Sequence, residues 1–247
     1  MREAYSVPSV WQMMSAKRPV YLLAGGRRGD RGTPDPLVQA VFREAAAVSP
    51  TIAYTGTANG DNEAFFDRMA EALKEAGARR VNRVLLSPEY ADLRKAQRVL
   101  ESADIVFVSG GDVDRGMRVL RGKGMVDFLS ALHREGKPFF GSSAGAIMLS
   151  REWVRWRDPD DNSSAELFPC LGFAPVICDT HDEEGGWQEL QTALGLEEDG
   201  TMGYGIVTGT AIRVAPDGRI DALGGAVHQY VRRGKRVERA PDLLPVK

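Results

Sequence analysis

Ser143 stands at the centre of Gly141-Ser142-Ser143-Ala144-Gly145, between the apolar run Pro138-Phe139-Phe140 and the helix-forming stretch Ala146-Ile147-Met148-Leu149. This G-x-S-x-G arrangement predicts a strand, a sharp turn and a helix, the layout of a nucleophile elbow. The flanking glycines matter because a side chain beside the strained central residue would collide with the strand or the helix. The Ser143 hydroxyl would project above the carboxyl edge of a sheet. The helix behind it would supply unsatisfied N–H groups and a positive dipole end. Acyl transfer needs such an arrangement, but the same letters are also ordinary turn chemistry, so the partners must decide.

A serine nucleophile needs a base within hydrogen-bond reach, and the chain has three histidines. His133 falls in a helical stretch and His228 inside a C-terminal β-rich tail, positions that read as structural or exposed. His181 directly follows the apolar run Val176-Ile177-Cys178, which places it at a strand's carboxyl end. The carboxylate that would hold its imidazole has two sources. Asp158, Asp160 and Asp161 lie after the elbow helix, while Asp179, Asp182, Glu183 and Glu184 surround His181. Asp182 is adjacent in sequence, and neighbouring side chains seldom meet at a hydrogen-bonding angle. An oxyanion hole needs two converging backbone N–H groups. Ala144 supplies one, and Ser109-Gly110-Gly111-Asp112 at the end of an apolar run offers the other, with Asp112 also suited to capping the next helix.

These residues need a frame. Val20 to Ala24, Thr51 to Tyr54, Val81 to Leu86, Ile105 to Val108 and Pro138 to Phe140 read as strands. Pro36 to Ala47, Glu63 to Ala76, Leu93 to Glu101 and Gly124 to Glu135 carry the apolar spacing of helices. The alternation implies an α/β fold, a doubly wound, mostly parallel sheet flanked by helices, with the ligand crevice beyond the carboxyl ends of the strands. Beyond Glu152 come a polar loop, Asp158 to Ser164, a short strand, Pro175 to Cys178, and a helix, Gly186 to Leu194. Gly205 to Val214 and Ile220 to Arg232, joined by Pro216-Asp217-Gly218, read as a C-terminal β-hairpin. Residues 1–18 read as an N-terminal arm or helix with Trp11, Met13 and Met14 as its apolar contacts, and 19–247 as one domain.

With 247 residues, 43% of them hydrophobic, the chain can bury a substantial core. A net charge of -2 gives no footprint for nucleic acid or an anionic membrane, so small molecules are the expected partners. The two cysteines, Cys170 and Cys178, are too few for a disulfide scaffold or a zinc site and read as buried free thiols. No signal-like or membrane-length apolar run occurs, and a soluble cytoplasmic protein is expected. Gly25-Gly26-Arg27-Arg28-Gly29 fits neither a dinucleotide fingerprint nor a P-loop. Arg27, Arg28 and Arg31 read first as solvated loop arginines, with a substrate carboxylate at the crevice as the alternative partner.

The Gly-Gly-Asp loop, the Ser143-Ala144-Gly145-Ala146 elbow preceded by Phe139-Phe140-Gly141, and a histidine about forty residues later together resemble the serine peptidase family of dipeptidase E and cyanophycinase. The resemblance covers roughly Val20 to Val231 and implies a fold related to class I glutamine amidotransferases, with serine in place of their cysteine. It implies Ser143 as nucleophile, His181 as base, Asp158 as triad acid, Gly111 and Ala144 as oxyanion donors, and Asp112 and Arg157 as substrate contacts. The pattern departs at Asp182, where members often carry phenylalanine, and at Val113, where cyanophycinase-like sequences carry glutamine. Cyanophycin degradation is therefore not implied.

The expected function is a serine-dependent exopeptidase or dipeptidase that cleaves short peptides through an acyl-enzyme, with a preference for aspartyl or isoaspartyl bonds as the finer expectation. Neither metal nor organic cofactor is required. A homodimer is implied by the resemblance alone. The competing expectations are a repurposed small-molecule binding module that keeps the elbow for its turn, and an amidase or esterase with the same triad.

Overall fold

The structure, a computed structural model, describes residues 18–25, 33–45, 48–158 and 160–245. The expected arm at 1–18 lies outside the described residues except for Arg18, as does the Arg27, Arg28 and Arg31 loop.

Five parallel strands form the centre of a seven-stranded sheet: β1 (Val20–Leu23), β2 (Thr51–Thr55), β3 (Arg80–Val84), β4 (Ile105–Val108) and β5 (Phe139–Ser142). Two antiparallel strands, β10 (Ala211–Val214) and β11 (Ile220–Leu223), extend it beyond β1, giving the order β11-β10-β1-β5-β4-β2-β3. The period-2 geometry of the strands splits their side chains between two cores. Tyr21, Leu23, Ile52, Tyr54, Ile105, Phe107 and Phe140 point to one face, against α1 (Pro36–Glu44) and α2 (Glu63–Glu75). Val20, Leu22, Ala53, Val106, Val108 and Phe139 point to the other, against α3 (Leu93–Ser102), α4 (Val113–Gly122), α5 (Met125–Arg134) and α6 (Ala144–Leu149). Burying both faces explains why these strands are near-continuously apolar. Phe107 and Phe140 pack with ring centroids 4.6 Å apart and planes tilted by 31°, and each such buried ring contributes about 1.5–3 kcal/mol.

Side-chain caps set where the helices begin. Asp35, Asn62, Asp92 and Asp112 each accept the backbone N–H two or three residues ahead, at the starts of α1 to α4. Such a cap is worth about 1 kcal/mol. Helix α4 was only implied in the sequence, through the cap at Asp112.

The second half departs from the expectation in two ways. The polar loop at 158–164 joins a two-stranded antiparallel unit, β6 (Glu152–Trp156) and β7 (Ala165–Pro169), that the sequence reading did not anticipate. The Pro216-Asp217-Gly218 hairpin is present as β10 and β11, but each of its expected arms is two strands. Residues upstream and downstream of it, β9 (Met202–Ile206) and β12 (Val227–Arg233), belong to a separate four-stranded sheet with β8 (Ile177–Thr180) and β13 (Arg236–Leu243), in the order β13-β12-β9-β8. Helix α7 (Gln188–Gly195) packs Leu190, Ala193 and Leu194 with Ile177, Val154 and Tyr230 in a third cluster.

Among the described residues no helix is long and apolar enough to cross a membrane. Cys178 is buried and Cys170 partly so, both free, and burial pushes the Cys170 thiol up to about 12. His133 is buried and stacks on Phe173 at 4.5 Å. His228 sits on β12, with Nδ1 3.2 Å from Asp242. Both match the structural roles expected of them.

Candidate active site

The elbow is built where β5 ends between β1 and β4. Ser143 donates its backbone N–H to Leu23 O at 2.9 Å, continuing the β1–β5 ladder, and then turns with φ 55° and ψ −130°. A non-glycine residue at positive φ is strained, and such strain gathers at functional turns. The two flanking glycines have separate steric reasons. A Cβ on Gly141 would lie 2.3 Å from Gly145 O, and one on Gly145 would lie 2.0 Å from Val108 O. Strand and helix therefore meet backbone to backbone, which is what lets α6 start directly behind Ser143. Ser143 O accepts from Ala146 and Ile147, while the N–H of Ala144, at the first turn, has no intrahelical acceptor.

His181 comes from the other sheet. It follows β8, donates its backbone N–H to Ile206 O at 2.9 Å, and turns with φ +46°. Its Nε2 lies 2.7 Å from Ser143 Oγ. Both residues thus sit in strained backbone and aim at each other across the seam between sheets. The end of α6 ties that seam. Leu171 N–H and Ala174 N–H donate to Met148 O and Leu149 O, and Arg151 N–H donates to Val176 O, just before β8. The segment that carries His181 thus hangs from the helix that Ser143 begins.

The glycine loop after β4 approaches from the opposite side. A Cβ on Gly110 would lie 3.1 Å from Ser143 Cβ. Gly111 has φ +147°, and a Cβ there would stand 2.3 Å from Ala58 O, so glycine is required on both counts. Asp112 N–H binds Ala58 O at 2.9 Å, and Asp112 caps α4 through Arg115 N–H at 2.6 Å. Asn59, in the turn after β2, holds the loop. Its Nδ2 reaches Ser109 Oγ at 2.8 Å and Gly110 O at 3.0 Å, with Tyr54 Oη at 3.2 Å. Sequence reasoning missed Asn59. The turn-rich string Thr57-Ala58-Asn59-Gly60-Asp61-Asn62 marked a loop, but nothing in it signalled contacts some fifty residues away.

Ser143, Ala144, His181, Gly111 and Asp112 all line one cavity of about 470 Å³, together with Trp153, Asp179, Asp182, Gln188 and Glu189. Asp158 and Arg157 do not line it. The Asp158 carboxylate accepts Asp160 N–H at 3.1 Å in its own turn, and Arg157 Nε faces Glu166 at 3.4 Å. Arg155 is likewise engaged with Glu166, at 2.7 Å. The Glu183 carboxylate accepts Thr208 N–H. Burial would raise its pKa, but that bond and the His181 imidazole outweigh burial and hold it below the usual range. Asp179 is 6% exposed. Burial first, then the charges of Glu189 and Asp182, push it up to about 7 against the N–H bonds of Thr180 and Leu190. Glu189 is raised as well, chiefly by burial, although Trp153 Nε1 donates to it at 3.0 Å. Among the described residues, no three His, Cys, Asp or Glu side chains converge as metal ligands.

A serine hydroxyl held against an imidazole on a strand–helix elbow, with a glycine loop beside it, defines a serine hydrolase of α/β architecture. The chain belongs to peptidase family S51, which it matches over residues 20–221, and it is a serine peptidase. Two solved structures share the fold. A peptidase from an acI-B1 Actinobacterium is 16% identical with a TM-score of 0.67, covering 92% of this chain and 97% of that one. A putative peptidase E protein from Listeria monocytogenes EGD-e is 16% identical with a TM-score of 0.61, covering 84% and 98%. A stretch of 80 residues is 32% identical to the pyridoxal 5'-phosphate synthase subunit PdxT of Thermococcus gammatolerans. That stretch is 32% of this chain and 40% of that protein.

Proposed function

We propose that the protein is an exopeptidase of dipeptidase type that cleaves short peptides through an acyl-enzyme on Ser143. The 2.7 Å contact between Ser143 Oγ and His181 Nε2 carries this reading. Nε2 takes the hydroxyl proton as Oγ attacks the scissile carbonyl. The tetrahedral oxyanion lies against the N–H groups of Gly111 and Ala144, each such donor being worth about a hundred- to a thousand-fold in turnover. Collapse expels the amine, which takes the proton from His181, and water repeats the sequence on the ester. The contact also favours catalysis over a repurposed binding module, which would be free to let the two side chains drift apart.

The group that orients His181 has two candidates. Asp158 is the resemblance's choice. Glu183, two residues beyond His181, is the alternative, its carboxylate held by Thr208 N–H. A preference for aspartyl or isoaspartyl bonds requires a cation for the substrate carboxylate. Arg155 and Arg157, the candidates for that role, are both engaged by Glu166.

The test is incubation of the purified protein and its Ser143→Ala variant with α- and β-aspartyl and neutral di- and tripeptides, with products identified by mass spectrometry. Cleavage lost in the variant supports the reading. Turnover of esters or simple amides with every peptide left intact would favour the amidase or esterase alternative, and persistence of cleavage in Ser143→Ala would overturn the nucleophile.

A further inference from the structure

The loop that carries Gly110 and Gly111 is seated on the turn that follows β2. Asp112 N–H binds Ala58 O, and the Asn59 amide binds Ser109 Oγ and Gly110 O. Gly111 packs so tightly on this turn that a Cβ there would also stand 2.8 Å from Asn59 N. Wherever residues 56–61 sit, the Gly111 N–H follows.

Asp61 is what fixes that turn. It is 4% exposed and has φ +54°, a left-handed backbone that glycine would take without strain. Burying a carboxylate is costly unless it is well bonded, so the side chain must do something that glycine would not. Its Oδ2 accepts two backbone N–H groups just beyond β3, from Leu86 at 2.8 Å and from Ser87 at 2.7 Å. Its carbonyl oxygen accepts from the guanidinium of Arg83, on β3, which lies over the Phe66 ring at 5.6 Å. Its own N–H closes the turn on Gly56 O at 2.8 Å. The following N–H, of Asn62, donates to Asn59 Oδ1 at 3.1 Å and so sets which way the Asn59 amide faces. A Cβ on Gly56 would stand 2.9 Å from Asp61 Oδ1 and 3.1 Å from Asn59 Oδ1, so the two side chains share one crowded corner.

We propose that Asp61 is a positioning residue for the transition state: by clamping the turn after β2 to the end of β3, it holds Gly111, through Ala58 and Asn59, where its N–H meets the oxyanion. The inference rests on Gly111 being an oxyanion donor. Asp61 touches neither substrate nor the Ser143–His181 pair, so its loss weakens stabilisation of the oxyanion and leaves the nucleophile and base in place.

The experiment measures how fast Ser143 of the intact protein is labelled by a fluorophosphonate and by its P=S counterpart, followed by mass spectrometry. Ser143 Oγ bonds to phosphorus as fluoride leaves, and the phosphoryl oxygen takes the place of the oxyanion. Sulfur is too large and too weak an acceptor to use the same donors. In Asp61→Gly, which keeps the backbone unstrained and removes the clamp, the P=O rate is expected to fall about ten- to a hundred-fold, part of what a whole oxyanion donor is worth. The P=S rate should fall far less, so the ratio between the probes shrinks. Asp61→Asn keeps an oxygen for Leu86 and Ser87 N–H and should restore most of the ratio. In an Asn59→Ala background Asp61→Gly should add little, since both act on one loop. Arg83→Met loosens the same turn from its other hold, and should shrink the ratio by less, which keeps the test decisive if Asp61→Gly does not fold. A parent-like ratio in the folded variants, or equal losses with both probes, overturns the role of Asp61 while the Gly111 assignment stands. If the parent itself prefers P=O over P=S no more than free hydroxide does, the Gly111 assignment falls and the role of Asp61 with it.

Discussion

Gly145 lies so close to the end of β4 that a Cβ on it would stand 2.0 Å from the carbonyl oxygen of Val108. The contact is backbone against backbone, so no side chain can swing aside to relieve it. Gly145→Ala should therefore force α6 away from the sheet and tilt Ser143. Overpacking of this kind costs about 1–3 kcal/mol. Thermal unfolding and peptide turnover, measured side by side, should both fall. A variant with unaltered Tm and kcat would show that the elbow is looser than its geometry.

Ser143→Ala removes one oxygen from an otherwise satisfied turn and should leave Tm nearly unchanged. Turnover should fall by about four to six orders of magnitude, and His181→Ala should be almost as severe. Because the two act as a unit, the double variant should be little worse than either alone. Single-turnover kinetics on the three variants read this out. Additive losses would mean that the 2.7 Å contact is not the reacting pair.

Asn59→Ala releases the loop that carries Gly110 and Gly111 without touching the nucleophile or the base. Misplacing an oxyanion donor acts on the transition state, so kcat should drop about ten- to a hundred-fold with KM little altered. Asn59→Gln should restore little, since its longer side chain moves the amide away from Ser109. An equal change in KM and none in kcat would assign Asn59 to substrate binding instead.

Asp158→Asn and Glu183→Gln separate the two candidates for orienting His181. The true partner should lower kcat strongly and change the pH profile of kcat/KM, because the tautomer and the stability of the imidazolium both depend on it. The other variant should behave like the parent. Similar, modest effects from both would point to a different acceptor.

Asp179 makes stability depend on pH. Its proton is held more tightly in the folded state, up to about 7, than in the unfolded chain, where an aspartate titrates near ~3.9. Its contribution is neutral below about pH 4, turns destabilising as pH rises, and reaches its full cost above about 7. Asp179→Asn should raise Tm by a few degrees at pH 8 and leave it unchanged near pH 4. The groups facing Asp179 across the cavity are Glu189, Asp182 and His181, so the comparison is cleanest as a difference between parent and variant at each pH. A Tm that falls at pH 8 would place a cation beside this carboxylate.

The central strands and the elbow were legible because burial on both faces leaves one reading for Val20–Leu23 or Ile105–Val108, and because Gly141 and Gly145 mark contacts with the adjoining backbone. The tail was harder. Gly205 to Val214 is continuously apolar enough to pass for one strand, yet Thr208-Gly209 turns it from one sheet into another. Strands β6 and β7 carry Glu152, Arg155 and Glu166 among their apolar residues, since they lie partly exposed, and so lack a clean alternation. Asn59, Trp153 and Glu189 act only through distant partners, and local sequence holds no trace of those.

The nucleophile and the base belong to different sheets, joined where α6 ties down the segment leading to β8. The distance that matters for proton transfer is therefore an accumulated tolerance, summed over every contact in that seam. Turnover becomes an internal gauge of how closely the two sheets are seated. A chain whose smaller sheet has lifted away would keep Ser143 on its elbow and His181 on its strand, each locally intact, and would no longer be a peptidase.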